Sequence, residues 1–160
     1  MTIQVQERTP AAYISYCGIL YIMDSRGMVL YSSDDADNPP DLLRLEGLNI
    51  RSCGVGRKIA LLNDTQLNIY MEVMRELKAL KMTDTVSELY VSDVDNIYLG
   101  TADGFSVRMG SSSRIHAKLR ALLLTHDALI YLEKGAGTID VSTPEYPTYI
   151  PETTTEATGT

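Results

Sequence analysis

The sequence is poor in the residues that advertise chemistry. Its 160 residues hold two cysteines, Cys17 and Cys53, and two histidines, His116 and His126. Two cysteines are too few for a disulfide scaffold or a four-ligand zinc site. A bridge between them would stabilise by ~4 kcal/mol in the chain-entropy picture. A pair alone carries no pattern, so both are read as unpaired small hydrophobes. The histidines fall on one expected helix, about 80° out of line at 3.6 residues per turn. A regular helix therefore cannot offer both to one metal, and no metal or cofactor is expected. Cations are scarce as well, with 14 Lys and Arg against 21 Asp and Glu and a net charge of −7. Phosphate backbones need clustered Lys and Arg, so nucleic acid is disfavoured as a partner. No apolar run approaches the ~18 residues of a membrane span. Met1 to Arg8 lacks the basic and apolar regions of a signal peptide.

What remains is the profile of one domain. A length of 160 residues, 44% hydrophobic and 22% charged, reads as ordinary globular protein with a single packed core. Taken literally, the chain is a soluble cytosolic protein or a fragment of something longer. Thr2 to Glu7 alternate like a strand with no lead-in, which favours the fragment.

The first third reads as a meander. Ala11 to Tyr16 and Ile19 to Met23 are short β-rich runs joined by a tight turn at Cys17-Gly18. Asp24-Ser25-Arg26-Gly27 has the residues of a type I turn and leads into Met28 to Tyr31. Ser32 to Pro40 is a solvated loop, and Leu42 to Arg57 is read as irregular, punctuated by three glycines. From Asp64 to Lys81 the periodicity changes: Leu67, Tyr70, Met71, Met74, Leu77 and Leu80 fall on one helical face. Asn63 and Gln66 have the spacing of a capping pair. Val86 to Val91, Asn96 to Thr101 and Phe105 to Met109 are strands, the last two joined by an Asp103-Gly104 hairpin turn. A second helix follows Ser111 to Ser113, with Ile115, Leu119, Leu122, Leu123 and Leu129 as its apolar stripe. Thr138 to Val141 and Thr148 to Ile150 close the chain as extended segments, and Glu152 to Thr160 is a polar, Thr-rich tail expected to be disordered. The fold class is α+β, an antiparallel-rich sheet carrying two amphipathic helices.

Few motifs compete for a function. Gly54-Val55-Gly56-Arg57-Lys58 lacks the spacing and hydroxyl of a phosphate loop and is read as a turn. Asp93-Val94-Asp95-Asn96 lacks the glycine and closing glutamate of a calcium loop. Asn63-Asp64-Thr65 fits a glycosylation sequon, but a helix start explains the same residues. There is no Gly-x-Ser-x-Gly elbow. Nothing in linear order argues for an active site.

Several segments, in order, resemble the extracytoplasmic β domain of the bacterial cell-division family FtsQ/DivIB. They are Val5 to Tyr13, Tyr21 to Leu30, Asn96 to Gly110 followed by Lys118-Leu119, and Gly137 to Pro144. The resemblance spans roughly residues 3 to 151. It implies the end of a POTRA domain over 1–10, a β domain over 11–151 and the tail over 152–160. It also implies a non-enzymatic divisome scaffold, anchored by a single membrane pass outside this chain, with this chain on the extracytoplasmic side. The expected partners are FtsB/DivIC-type and FtsL-type bitopic proteins. The rival reading is an extracytoplasmic ligand-binding or enzymatic domain. The resemblance puts the partner-binding strand on Asp140 to Ile150, with Val141, Ser142, Thr143, Glu145, Tyr146 and Tyr149 as site residues. Local chemistry agrees that this is an edge. If the strand is continuous, Glu145, Pro147, Tyr149 and Pro151 direct their backbone to one side, and two of the four have no N–H to give.

Overall fold

The computed structural model describes residues 8–152. The expected lead-in strand at Thr2 to Glu7 and nearly all of the Thr-rich tail lie outside the described residues. In chain order the elements are β1 (Ala12–Tyr16), β2 (Ile19–Met23), β3 (Val29–Ser33), β4 (Leu43–Glu46), β5 (Ile50–Ser52), β6 (Ala60–Leu61), α1 (Asp64–Ala79), β7 (Val86–Tyr90), β8 (Ile97–Thr101), β9 (Ser106–Gly110), α2 (Ile115–Tyr131), β10 (Gly137–Asp140) and β11 (Thr148–Pro151). Nine strands form one sheet in the order β11-β10-β9-β8-β7-β4-β1-β2-β3, and β5 pairs with β6 separately.

The sheet consists of antiparallel hairpins joined by parallel seams. β1–β2, β2–β3, β7–β8, β8–β9 and β10–β11 are antiparallel. β4 lies parallel to both β1 and β7, and β10 lies parallel to β9. Parallel neighbours need a crossover, and α1 and α2 supply the last two of these three. The region from Leu42 to Arg57, expected to be irregular, thus holds β4, an interior strand of the sheet. Leu43 and Leu45 face the core while Arg44 and Glu46 face outward. Four residues of alternation are a weak signal, and a parallel strand has no hairpin turn beside it to announce it.

Local chemistry explains the ends of these elements. Cys17 and Gly18 both have positive φ, 52° and 80°, as a two-residue primed hairpin turn requires. Cys17 is consequently exposed at the tip, and both cysteines are free. At the next turn Asp24 Oδ1 accepts the N–H groups of Arg26 and Met28, each at 2.9 Å. Its Oδ2 pairs with Arg8 at 3.0 Å. Burial pushes the Asp24 carboxyl up, but these hydrogen bonds and Arg8 outweigh it and hold it below its ordinary value. The fully buried Tyr70 of α1 donates its hydroxyl to the Asp24 carbonyl at 2.7 Å, pinning the helix to this turn. The segment from Gly54 to Lys58 is a turn, packed on β3 through Gly56 N–H to the Val29 carbonyl.

Asn63 caps α1 by accepting the Thr65 N–H at 3.0 Å. Gln66 does not complete a capping box. It is 1% exposed, its Nε2 donates to the carbonyls of Gly47 and Val91, and its Oε1 accepts the Asn49 N–H, all at 2.9 Å. It therefore ties together the chain leaving β4 and the chain leaving β7. Gly47 has φ +86°, and a Cβ there would lie 2.6 Å from the Ser92 nitrogen. Only glycine permits this approach.

Both helical stripes are buried as expected. Leu67, Tyr70, Met74, Leu77, Ile115, Leu119, Leu122 and Leu129 belong to one core cluster with the inner face of the sheet, and Leu123 is half-buried against it. The helices pack on each other, joined also by His116 Nδ1 to Glu76 Oε2 at 2.5 Å.

Leu77→Ala should lower stability by ~2–5 kcal/mol in denaturant unfolding, as for a fully buried leucine. Gln66→Ala should lower it by ~1–3 kcal/mol, because the buried Val91 carbonyl loses its partner along with the part-buried Gly47 carbonyl and Asn49 N–H. The exposed Asn68→Ala, on the same helix, should stay within ~0.5 kcal/mol of the parent. A Gln66→Ala protein as stable as Asn68→Ala would contradict the bracing role.

Candidate functional site

The segment expected to bind a partner lies at one end of the large sheet. It is a hairpin, not a continuous strand. β10 ends at Asp140 and β11 begins at Thr148, while a turn closed by Tyr146 N–H to the Thr143 carbonyl (3.0 Å) lies between them. Two causes interrupt the strand. Asp140 Oδ1 draws in the Ser142 N–H at 2.9 Å and hydroxyl at 2.5 Å, curling the chain back. Pro144 and Pro147 have no N–H with which to extend a ladder.

β11 is the edge strand. Its register pairs Thr138 with Ile150 and Asp140 with Thr148. The Glu152 N–H reaches the Ala136 carbonyl at 3.2 Å on the same register. Hydrogen-bonded pairs alternate along an antiparallel ladder, so Thr148 and Ile150 direct their backbone inward to β10. Tyr149 and Pro151 direct theirs outward. Within β11 the Tyr149 N–H is the single outward donor, beside outward carbonyls of Tyr149 and Pro151.

The six predicted residues occupy different environments. Val141 is buried in the core and gives its N–H to the Arg108 carbonyl at 3.0 Å. Ser142 is half-buried and committed to Asp140. Thr143 is exposed. Glu145 is exposed and ion-paired with Arg114, which holds its carboxyl below the ordinary value. Tyr146 is 77% exposed. Tyr149 is half-buried on the helix-facing side, with its hydroxyl on the Gly135 carbonyl at 2.5 Å and its ring 6.2 Å from that of Phe105. Tyr146 thus offers its ring to solvent, whereas Tyr149 anchors β11 within the chain. Ile150 is exposed on the opposite face, and the sequence reading passed over it because outward exposure follows from register.

Charged groups missed in linear order converge beside the hairpin. Arg114 starts α2 in a left-handed conformation, φ 56°, and reaches across to Glu145. Lys118, one turn on, is buried, and its Nζ donates to the Ser111 carbonyl at 2.8 Å. Burial first, and Arg114 second, push this ammonium below its ordinary pKa. Arg108 lies 3.8 Å from Asp140 Oδ2. Burial pushes the Asp140 carboxyl up, but Ser142 and Arg108 outweigh it and leave it below the usual range. Asp93 to Asn96 close a turn on themselves, Asp93 accepting from Asp95 and Asn96 at 2.9 Å each. Among the described residues no three His, Cys, Asp or Glu side chains are grouped to hold a metal.

The family profile for the C-terminal domain of the cell division protein FtsQ/DivIB matches residues 12–142. The chain belongs to the FtsQ/DivIB family. The match runs from β1 through β10 and stops at Ser142, so Thr143, Glu145, Tyr146 and Tyr149 of this FtsQ/DivIB domain lie beyond it. Among solved structures the domain is similar to the major extracytoplasmic domain of the trans isomer of the bacterial cell division protein DivIB from Geobacillus stearothermophilus. Identity is 18% over 70% of this chain and 82% of that one, with a TM-score of 0.42. Comparison with curated proteins gives no match. No helix among the described residues is long and apolar enough to cross a membrane.

Because the folded pKa of Asp140 is lowered, its contribution is present above the ordinary aspartate value of ~3.9 and is lost as pH falls through the folded value. The urea midpoint of Asp140→Asn should lie below the parent's at neutral pH, and the gap should shrink on acidification below ~3.9. A gap constant with pH would mean that the carboxylate charge does not hold the hairpin.

Proposed function

We propose that this FtsQ/DivIB domain is the extracytoplasmic part of a division protein tethered to the cell membrane from its N-terminal side. It acts by binding, not by catalysis, as a scaffold for FtsB/DivIC-type and FtsL-type bitopic partners during septum formation. Family membership supports the division role. The observation that carries the site is the edge position of β11, whose outward backbone is unpaired among the described residues.

An extended segment of a partner adds to such an edge by main-chain hydrogen bonds. Here the pairing is centred on Tyr149, which supplies both a donor and an acceptor, while Pro151 supplies only a carbonyl. Thr143, Glu145 and Tyr146 stand next to that edge on the connecting turn and supply side-chain contacts. Val141 and Ser142 support the turn from below. Tyr146 is the principal anchor, since it presents an exposed aromatic ring and aromatic residues dominate interface hot spots.

The test is titration of the chain with a peptide from an FtsB- or DivIC-type protein. Tyr146→Ala should weaken binding by about tenfold or more, equivalent to at least ~1.4 kcal/mol, with no change in melting temperature. Tyr149→Phe keeps the ring and the backbone but frees the Gly135 carbonyl, so it should lower stability with little effect on affinity. Unchanged affinity in both Tyr146→Ala and a folded Tyr149→Ala would move the docking surface elsewhere.

A further inference from the structure

At the far end of the sheet from β11, the outer side of α1 and the β2–β3 turn enclose a groove of about 720 Å³. Its walls carry Arg26, Lys58, Arg75 and Lys78 against one carboxylate, Glu72. This is a local excess of three positive charges on a chain whose net charge is −7. Among the described residues no ion pair engages Arg26, Lys58 or Lys78, and Arg75 has only the distant Glu76 at 3.7 Å. The cations come from three separate stretches of sequence, so the fold assembles the patch. Met71, half-buried, and Met74, buried, line the same groove.

We infer that this groove is a second docking site, for an acidic protein segment that also carries apolar side chains. Charge complementarity selects the sign of the partner, and the unbranched methionines give an apolar lining that adapts to its side chains. The concavity favours a peptide segment over a bilayer, whose flat surface would meet the rim and not the methionines. A neighbouring cavity of about 370 Å³ adjoins the groove, with Ser25, Met74 and Lys78 lining both. Asp41 and Asp84 line that second cavity. A segment lying along α1 is thereby oriented, its acidic stretch over the cations and any basic residue toward the aspartates. This site is independent of the β11 edge, at the opposite end of the sheet.

The test uses the full chain and a labelled peptide of glutamate, alanine and methionine, followed by fluorescence anisotropy. Binding should be saturable and should weaken as salt rises, because exposed charges are screened. Arg26→Glu combined with Lys58→Glu, both exposed positions, should weaken it by about tenfold or more. Lys134→Glu, an exposed charge reversal after α2, should change it by less than about twofold. Absence of saturable binding, or an equal loss from Lys134→Glu, would overturn the proposal. So would phosphatidylglycerol vesicles that bind through Arg26 and Lys58 while the peptide does not, since the patch would then serve a lipid surface. Loss of FtsB- or DivIC-type peptide binding in Tyr146→Ala leaves this result untouched, so the two sites fail separately.

Discussion

The fold depends on four residues, Leu43 to Glu46, that join two groups of strands into one sheet. β1 to β3 form one antiparallel group and β7 to β9 another, and β4 is the parallel strand between them. Its pairing with β1 is short, Ala12 with Leu43 and Tyr13 with Arg44. So short a strand cannot hold register by backbone alone. Leu43 and Leu45 enter the core, and Gln66 clamps the chain leaving β4 to the chain leaving β7. Gln66 suits this task because one amide offers two donors and an acceptor. A charged residue would carry a heavier desolvation cost in the same place.

The same arrangement separates the two ends of the sheet. At one end β11 keeps an outward edge, made partly of proline, which limits indiscriminate pairing. Arg114, Glu145, Asp140 and Arg108 hold the turn beside it through exposed or half-exposed contacts. Such pairs contribute little stability singly, but they fix where the chain reverses. At the other end α1 gathers cations from the β2–β3 turn, the Gly54–Lys58 turn and its own surface. The crossover helices make this possible, since each packs on the sheet and on the other while keeping one side open. The two proposed docking sites therefore lie at opposite ends of the sheet and do not overlap.

Much of this architecture is legible in the sequence. The helix over Asp64 to Ala79 announced itself through apolar residues at spacings of three and four and through Asn63 as cap. Ile19 to Met23 and the Cys17-Gly18 turn were readable because a two-residue turn fixes register locally. β4 was not legible, because a short parallel strand is defined by neighbours far away in sequence. Gln66 was misjudged for a related reason. Its spacing from Asn63 fits a cap, and only packing shows that its side chain turns inward to three backbone groups.

The candidate sites divide along the same line. Sequence alone determined that the C-terminal segment ends at an edge, because a residue without an N–H cannot sit in the middle of a ladder. It also determined which helical faces are apolar, because helical period is a property of adjacent residues. Only the tertiary structure decided that Asp140 to Ile150 is a hairpin, that Tyr149 turns inward while Tyr146 faces solvent, and that Arg26, Lys58, Arg75 and Lys78 share one groove. Those outcomes follow from register and from contacts between distant segments, which are set only when the whole core closes.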